Sequence, residues 1–595
     1  MLPRNHLPGW MVVVGKGNDH ELAAKVDAGL NAFVGEFGTK KMLATTEGIG
    51  FGFRKPETPL PLMTWSFYQN ADFICFIEGD FYDDYCSYRV LSGEDSQLAK
   101  ILLRNFNRIK FQALEMVSGS FSGFIFDLRT RELSTFIDRL GVRILYWSYD
   151  NEELVVSTNL ASLKALRLLH LDPLAAFQCL TIGFPIGERT LLKNVKSQVP
   201  CTVNVFSDGT KTSCRYWDPP KRLARISLGE AVESIVDSME DFVARIHGRT
   251  SQGQTIGLGL TGGHDSRVVL SALAFNKVPF DVIRWREGNF NDMAAQELAS
   301  RVSAELHVLR DCSASELKDI KEGVFLQSDG FCVHEWGFAA LAKECAEQQI
   351  NHLMLGFAGD VISGSLTIPE PECLNDVTEL AKYTLRDQME LLSFEAARDL
   401  LRDVDSDVIE NTKMEWVSSF AAEKWRESLS DVAIWQRLAN RNLKRIRYAM
   451  IPGSRYAQLI FPYLDRCILD TYFRLPIKLI RCQKAHCYAG FYRYKEFGQY
   501  QATGFPISLA TEARFALALY SLRRVRDAVG RFKPLLRPTS GGLRDELQDY
   551  VKEMCNSPLF ERKHFEKLLA ENRINPNTVY KMHTLSRFYD SYVRD

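Results

Sequence analysis

The stretch that most constrains the fold runs from Thr255 to Leu273, TIGLGLTGGHDSRVVLSAL. An apolar run typical of a buried strand meets a tight turn with Gly262 and Gly263, and the chain then continues as an apolar helix. Glycines let an anion approach the main chain, and the N–H groups at the start of a helix face such an anion. The stretch therefore predicts a phosphate-binding loop, although a strand, a Gly-Gly turn and a helix also occur as plain α/β architecture.

Side chains around this turn fit a nucleotide. Asp265 offers a carboxylate where a nucleotide would need Mg²⁺, a hard cation that prefers carboxylate and phosphate oxygens. Thr261 and Ser266 offer hydroxyl groups. We also expect Leu260 and His264, which lie in the same turn, to contact the nucleotide.

Composition limits the class of protein. A chain of 595 residues exceeds one hydrophobic core, so we expect two or three domains. The net charge of -1 disfavours a nucleic-acid partner. Thirteen cysteines without a CxxC pair indicate a reducing compartment, and Cys482, His486 and Cys487 fit no common metal-ligand spacing. No segment approaches the roughly 20 apolar residues of a membrane span, so we expect a cytoplasmic protein with no membrane partner.

Residues 1–217 form the first predicted domain, in which strand-like runs dominate and helical stretches lie near 20–34 and 95–117. The phrases IEGDFYDD, VSGSFSGFIFDL, DRLGVRILYW and LVVSTNLASLKAL follow one another in this region. In that order they resemble the N-terminal glutaminase domain of class B asparagine synthetases. The resemblance implies an αββα sandwich of the Ntn-hydrolase type.

One departure from that family concerns the nucleophile. In the family a cysteine becomes the first residue, so that its own α-amino group can serve as base. Here Leu2 and Pro3 follow the initial methionine, and no cysteine precedes Cys75. We therefore expect a degenerate glutaminase-like domain kept as a scaffold, as in β-lactam synthetases, which take an amine from their substrate. A cryptic ligand site in this domain is an open alternative.

Residues 218–504 form the second predicted domain. Strands expected at 255–260, 279–286, 304–309 and 351–356, each followed by a helical stretch, indicate a doubly wound parallel sheet with ligands at the carboxyl ends of its strands. The TGGHDS turn resembles the SGGxDS loop of ATP pyrophosphatases, which implies a HUP-like synthetase domain that binds ATP, with Arg284 among the contacts. The following segment also resembles the synthetases, and Asp292 in it could equally be a helix cap.

A second motif, LGFAGDVISGS at 355–365, resembles the synthetase motif GxGSDExxGG and the β-lactam synthetase form GYGSDIxxGG. The resemblance implies that Asp360 joins Asp265 as a Mg²⁺ ligand and that Gly356 and Gly359 let ATP approach the backbone. Phe357, also expected at the nucleotide, stands where β-lactam synthetases have a tyrosine, and it cannot move a proton.

Other residues are candidates for the missing chemistry. His334 and Glu335 lie where relatives line the substrate pocket and could replace the base, although a structural role for this pair remains open. The FPYLD phrase resembles the synthetase segment RxPFLD, after which relatives supply a lysine that stabilises negative charge. Lys484 is the candidate and Lys495 the reserve, and surface lysines are the alternative.

Residues 505–595 indicate a helical extension packed on the synthetase domain. A basic cluster in it could meet a nucleic acid, an acidic peptide or a lipid surface, and a solvated helix face is the usual explanation for such a cluster. Its members are Arg523, Arg524, Arg526, Arg531 and Lys533.

Taken together, the motifs predict an ATP-dependent, AMP-forming carbon–nitrogen ligase that joins a carboxylate to an amine carried by a small-molecule or peptide substrate. The product would be a small cyclic amide or, as in lasso peptide cyclases, a macrolactam of a modified peptide. Alternatives are an ammonia-dependent amidotransferase, a non-catalytic scaffold and an ATP-dependent RNA-modifying enzyme. A homodimer is an open alternative for the assembly.

Overall fold

The computed structural model describes most of the chain, at 9–33, 37–46, 48–56, 63–81, 93–94, 97–250, 254–285, 290–309, 312–364, 374–388, 391–423, 428–502, 505–515, 541–571 and 573–593. The predictions made on Leu2 and Pro3, and those on the basic cluster of 523–533, lie outside the described residues. The side chain of Asp292 is also outside them.

Among its described residues, the first part of the chain forms two sheets and four helices. The strands are β1 (Gly9–Val14), β2 (Phe37–Thr46), β3 (Ile49–Pro56), β4 (Met63–Gln69), β5 (Phe73–Phe81), β6 (Gly93–Glu94), β7 (Gly119–Asp127), β8 (Glu132–Ile137), β9 (Tyr146–Asp150), β10 (Glu153–Ser157), β11 (Lys196–Ser197), β12 (Thr202–Ser207) and β13 (Thr210–Arg215). The helices are α1 (Asp19–Asn31), α2 (Gln97–Ile109), α3 (Leu160–Leu166) and α4 (Pro173–Thr181). One sheet has the order β11-β9-β10-β1-β3-β2 and the other β13-β12-β8-β7-β5-β4-β6, and their pairs are antiparallel except β4 with β6.

Successive side chains of a strand point to opposite faces of its sheet, and their contacts show how these two sheets are layered. Trp10 of β1 lies in the aromatic core between the sheets, 5.8 Å from the ring of Phe76 on β5. Met11, which points to the other face of β1, belongs to the cluster that contains Val26 of α1. Cys75 of β5 likewise faces away from the shared core and joins the cluster of α2. The layers are therefore helix, sheet, sheet, helix, which confirms the predicted αββα sandwich.

A parallel sheet follows. Its strands are β14 (Ile256–Gly259), β15 (Phe280–Arg284), β16 (Leu306–Val308), β17 (His352–Leu355) and β18 (Gln458–Ile460), in the order β16-β15-β14-β17-β18. The helices are α5 (Leu228–Arg249), α6 (His264–Phe275), α7 (Phe290–Arg301), α8 (Ala314–Gln327), α9 (Gly337–Glu347), α10 (Gly359–Ile362), α11 (Val377–Gln388), α12 (Phe394–Leu400), α13 (Val408–Ala421), α14 (Leu429–Gln436), α15 (Arg447–Met450), α16 (Arg466–Arg474), α17 (Ile477–Ile480) and α18 (Lys484–Ala489). A π-helical stretch, Arg437–Ile446, joins α14 to α15. The four predicted strands are confirmed with shorter bounds, and β18 was not predicted.

Both faces of the parallel sheet are covered. A Cβ on Gly257 would lie 2.9 Å from Sγ of Cys345, so this position of β14 faces α9. Ile256 and Leu258 point to the opposite face and are fully buried there. The predicted doubly wound sheet is thus confirmed. Because β15 and β17 flank β14 on opposite sides, the strand order reverses between β14 and β17, and ligands of such sheets bind at that reversal.

A buried polar contact joins the antiparallel and parallel sheets. Nε2 of Gln458 on β18 donates to Oδ1 of Asp80 on β5 over 3.0 Å. Arg143 donates to the other oxygen of Asp80 over 3.2 Å and lies 3.6 Å from Oε2 of Glu78. The edge of the parallel sheet is therefore fixed to the sandwich by ionisable groups.

In the described residues after Tyr500, the chain adds a small hairpin and four helices. They are β19 (Gln501–Ala502), β20 (Phe505–Ser508), α19 (Leu509–Arg514), α20 (Gly541–Asn556), α21 (Arg562–Ala570) and α22 (Pro576–Tyr592). Helix α22 packs on α4 and α21 packs on α12, so these helices contact both the early and the middle parts of the chain. The domain boundaries remain predictions. A search of the described residues for a helix with the length and apolar character of a membrane span found none.

Candidate functional site

The two glycine-containing loops meet where the strand order reverses. Oδ2 of Asp265, in the first turn of α6, accepts the backbone N–H of Asp360 over 2.8 Å. A Cβ on Gly356 would lie 3.0 Å from Cβ of Asp265, and one on Gly359 would lie 2.7 Å from its Cγ. These glycines are therefore required by the close approach of the Asp265 side chain itself.

The phosphate-binding loop has an internal hydrogen-bond pattern. Gly262 has φ of +69°, in the left-handed region that favours glycine. The N–H of Thr261 donates to Oγ of Ser266 over 3.3 Å, which closes the loop on the helix. Because Gly263, the N-cap residue of α6, carries no side chain, no capping side chain of its own covers the first turn. This arrangement suits an anion at the helix start.

Arg267 ties the loop to a distant segment. Its side chain is fully buried, and Nη2 donates to the carbonyl of Gly262 over 2.8 Å. Nη1 donates to the carbonyls of Phe497 and Tyr500 over 3.0 and 3.2 Å. The position of Gly262 therefore depends on the chain near residue 500.

The second carboxylate oxygen of Asp265 has its own partner. Oδ1 lies 2.9 Å from Nε2 of His486, which is buried on α18. The hydroxyl of Tyr472 contacts Nδ1 of the same ring, so a neutral His486 donates from Nε2 to Asp265. The hydroxyl of Tyr463 donates to the backbone carbonyl of Asp265 over 2.8 Å. These contacts hold the carboxylate in one orientation.

Asp360 lies in a charged setting. Burial, and then the neighbouring charge of Asp265, raise the pKa of Asp360 to about 6. Arg441 and Arg437 of the π-helical stretch act in the opposite direction and lower that pKa. Two carboxylates and two guanidinium groups thus converge on one loop. π-Helical segments frequently occur at functional sites.

A cavity of about 500 Å³ opens beside these loops. Of the residues predicted at the nucleotide, those that line it are Leu260, Thr261, Gly263, His264, Asp265, Ser266, Arg284, Gly356 and Phe357, together with the predicted metal ligand Asp360. Gly262 and Gly359 support the loops without lining the cavity. Ile283, Leu341 and Leu355 add apolar wall. Arg284 is buried and donates from Nε to the carbonyl of Trp285 over 2.8 Å.

The second loop carries a strained residue. Ala358 has φ of +67°, a left-handed conformation that L-residues other than glycine rarely adopt. The neighbouring Phe357 places its ring in the cavity wall, 5.8 Å from the ring of Phe461 and nearly perpendicular to it. The side chain at this position of the motif is therefore an apolar wall.

Gln483 was not predicted and connects both loops. Its Nε2 donates to Oγ of Ser363 over 2.8 Å, and its Oε1 lies 3.1 Å from Nδ1 of His264. Gln483 also lines the cavity, and both it and Cys482 have positive φ, at +60° and +57°. In the sequence, Cys482 and His486 stand out only as possible metal ligands, and their spacing fits no common ligand pattern. This segment's partners Ser363, His264 and Asp265 lie more than 100 residues earlier, so local spacing gave no signal for them.

Four other predicted residues do not line this cavity. His334 stacks on Tyr580 of α22 with ring centroids 4.4 Å apart, and Glu335 lies 3.7 Å from Arg445. Lys484 begins α18 and is half-buried, whereas Lys495 is exposed and sits 5.0 Å from the ring of Tyr492. The catalytic roles of these four residues remain predictions.

A different set of side chains could also approach a metal ion. Asp281, Glu305 and His307 of the β15–β16 edge have ligand atoms within 4.8 Å of one another. Asp281 lies near the start of its strand, at the end remote from the two loops. Because Glu305 is exposed and His307 Nε2 already contacts Asp281 over 3.3 Å, a hydrogen bond between His307 and Asp281 explains the arrangement.

Comparisons with known proteins agree with this architecture. The family profile of the glutamine amidotransferase domain matches residues 92–217. A putative asparagine synthetase (glutamine-hydrolyzing) 2 of Methanocaldococcus jannaschii is 24% identical over 213 residues, which is 34% of this chain and 40% of that protein. The chain thus spans less than half the length of this curated relative.

Solved structures also align with parts of the chain. Glutamine phosphoribosylpyrophosphate amidotransferase from B. subtilis, complexed with ADP and GMP, is 11% identical, covers 64% of this chain and 89% of its own, and has a TM-score of 0.23. NMN synthetase from Francisella tularensis is 18% identical, covers 37% and 95%, and has a TM-score of 0.19. The amidotransferase-domain match lies within the sandwich, and the archaeal asparagine synthetase relative is similar to this chain over 34% of this chain's length.

Proposed function

We propose that this chain is an ATP-dependent carbon–nitrogen ligase that adenylates a substrate carboxylate, releases pyrophosphate and transfers the acyl group to an amine. The observation that carries this proposal is the contact between the Asp265 carboxylate and the loop of Asp360 at the reversal point of the parallel sheet. That contact places two carboxylates and the start of a helix at one end of a cavity of about 500 Å³.

The cavity has the polarity that ATP requires. Gly263, Asp265 and Ser266 supply a polar end, where the N–H groups of the α6 start favour phosphate. Ile283 and Leu355 supply apolar walls against which a purine ring can pack. The phosphates would then lie on the loop and the base toward β15.

The same residues fit a magnesium ion. The charge of Asp265 adds to burial in raising the pKa of Asp360, and a shared divalent cation would relieve the repulsion between the two carboxylates. His486 and the N–H of Asp360 already orient the Asp265 carboxylate. When bound, Mg²⁺ would neutralise charge on the pyrophosphate.

The chain's own groups assist the transfer in two ways. Arg437 and Arg441 add positive charge beside Asp360, where they can stabilise the charge that builds up as a carboxylate attacks the α-phosphorus and pyrophosphate leaves. The apolar ring of Phe357 in the wall excludes water, which protects an acyl-adenylate from hydrolysis. Asp265, Asp360, Arg437 and Arg441 are thus the proposed catalytic set, with Lys484 as a further candidate.

The amine is proposed to come from the substrate. The described cysteines of residues 9–217 are Cys75, Cys179, Cys201 and Cys214, and burial raises the pKa of each thiol. None of these four is thus poised as the thiolate that glutamine hydrolysis by cysteine needs. A cyclic amide or a modified-peptide macrolactam is the proposed product class.

The experiment measures two quantities on purified protein, the affinity for ATP with and without Mg²⁺ and pyrophosphate release with a panel of amino-carboxylates. We expect Asp265→Asn and Asp360→Asn to weaken binding of Mg²⁺-ATP at least 10-fold, with a smaller effect on ATP in the presence of a chelator. Pyrophosphate release should fall more than 100-fold. The control is Asp237→Asn, an exposed residue of α5.

Two results would reject the proposal. Unchanged Mg²⁺-ATP binding in both loop variants would remove the nucleotide site. Binding without pyrophosphate release for any acid in the panel would favour a nucleotide-binding scaffold over a ligase.

A further inference from the structure

A second cavity lies where the C-terminal helix α22 meets the middle of the chain. Its volume is about 190 Å³, and it is formed by residues 331–335, Arg445 of the π-helical stretch, and Tyr580 and Lys581 of α22. Its described lining residues do not overlap with those of the nucleotide cavity. We refer to it as the α22 pocket.

The charges of the α22 pocket favour an anion. Lys581 is half-buried in the pocket lining, and within the described part of the chain it has no acidic partner. Arg445 is also in the lining, with Nε 3.7 Å from Oε1 of the half-exposed Glu335. Among the described lining residues, two cations and one carboxylate leave one net positive charge, which favours a ligand that carries a carboxylate group.

His334 contributes a neutral ring to this pocket. Burial first, and then His583, Lys321 and Arg587, lower the pKa of His334 to about 2, so it carries no charge near neutral pH. The ring stacks on Tyr580 at 4.4 Å between centroids, which makes one side of the pocket a flat aromatic wall. The pair predicted from sequence as a base is therefore part of a separate cavity.

A chain of hydrogen bonds engages one nitrogen of the His334 ring. Nε2 of His583 lies 3.1 Å from the carboxylate of Glu553. Nδ1 of His583 lies 2.9 Å from Nε2 of His334, and the two nitrogens share a hydrogen bond. Nδ1 of His334, the other ring nitrogen, is buried and has no hydrogen-bond partner among the described residues. A buried polar atom without a partner is destabilising, so a ligand group that forms a hydrogen bond with it would be favoured.

From these contacts we propose that the α22 pocket binds an amino-acid-sized carboxylate, with the carboxylate on Lys581 and Arg445 and a hydrogen-bonding group of the ligand on Nδ1 of His334. The cavity volume suits a molecule of that size, and the aromatic wall suits an apolar side chain. This binding site is separate from the nucleotide cavity and does not depend on the ligase proposal.

The test is equilibrium binding to the full-length protein, with the proteinogenic L-amino acids as probes. Each probe is compared with its decarboxylated amine and its deaminated acid. We expect at least one amino acid to bind saturably, its amine to lose binding, and its acid to bind at least 5-fold more weakly. Lys581→Met should weaken binding at least 10-fold and Lys581→Arg should restore it.

Controls separate this site from the nucleotide cavity and from a folding defect. Lys563→Met, at an exposed position of α21, and Asp360→Asn should leave amino-acid binding unchanged. Lys581→Gln serves as a second variant if the methionine variant does not fold. Absence of binding by every amino acid, or binding that survives the loss of the Lys581 charge, would overturn the proposal, whatever the outcome of the pyrophosphate assay.

Discussion

The left-handed backbone of Ala358 is the clearest case in which one residue reveals a requirement of the site. Glycine adopts φ of +67° without penalty, whereas alanine at such a position costs about 1 kcal/mol or more. Ala358 is nevertheless almost completely buried between the Phe357 wall and Gly359, in the loop that meets Asp265. The loop therefore holds Ala358 in a backbone conformation that alanine disfavours.

Replacement of this residue by glycine should stabilise the protein. We expect Ala358→Gly to raise the free energy of unfolding by about 1 kcal/mol, because it relieves the left-handed strain. Ala24→Gly, at an exposed position in the middle of α1, is the matched control and should lower it by about 1 kcal/mol, since glycine weakens a helix. Denaturant unfolding monitored by circular dichroism measures both. A destabilising Ala358→Gly would mean that the methyl group, and not the backbone, decides this position.

At the scale of elements, the site is the contact between two turns, each of which follows a parallel strand. The start of α6 brings Asp265, and the start of α10 brings Asp360, because β14 and β17 are neighbours. The two turns can lie this close together because Gly356 and Gly359 have no Cβ atom. A side chain at Gly359 would meet Asp265 at 2.7 Å and Tyr463 at 2.8 Å.

A single methyl group should therefore separate the two turns. We expect Gly359→Ala to weaken Mg²⁺-ATP binding at least 10-fold while the far-ultraviolet circular dichroism stays the same. Gly248→Ala on α5 is the control, because no atom lies within 4 Å of the Cβ it would add. Titration calorimetry provides the measurement, and an unaffected affinity in Gly359→Ala would contradict the proposed contact.

These two turns could be predicted from the sequence because each is a short, contiguous pattern, in which glycines and an aspartate directly follow an apolar strand. The sequence did not allow prediction of His486, Gln483 or Tyr463, which act on Asp265 or its helix only after the chain has returned from about 200 residues away. Strand β18 was missed because three residues give no periodic pattern. The stacking of His334 on Tyr580 could not be predicted from the sequence, because Tyr580 belongs to the much later helix α22.

At the scale of the whole molecule, the sandwich and the parallel sheet meet through a buried ionisable network. Glu78 accepts a hydrogen bond from Ser122 and lies near Arg143, Asp80 and Asp138. Burial raises the pKa of Glu78 to about 7 despite the opposing effect of Arg143. The folded protein thus holds a proton here that the unfolded chain releases near pH 4.5.

This network should make stability depend on pH. Between pH 4.5 and 7 the folded state binds more protons at Glu78 than the unfolded state, so its contribution falls as pH rises, by about 3 kcal/mol in total. Glu78→Gln stays neutral and should lack this loss, so its stability relative to wild type should increase from pH 5 to pH 8. Urea unfolding at several pH values measures the difference, with the exposed Glu233→Gln as control. Parallel pH profiles for wild type and Glu78→Gln would show that Glu78 is ionised throughout.

The guanidinium of Arg267 has a consequence for how the protein is made. It joins the carbonyl of Gly262 to those of Phe497 and Tyr500, the first of which lies 230 residues further along the chain than Arg267. On the ribosome the nucleotide loop is synthesised long before these acceptors exist. The loop can therefore reach its final structure only after the chain through Tyr500 has left the exit tunnel. The last part of translation thus determines when this early segment finishes folding.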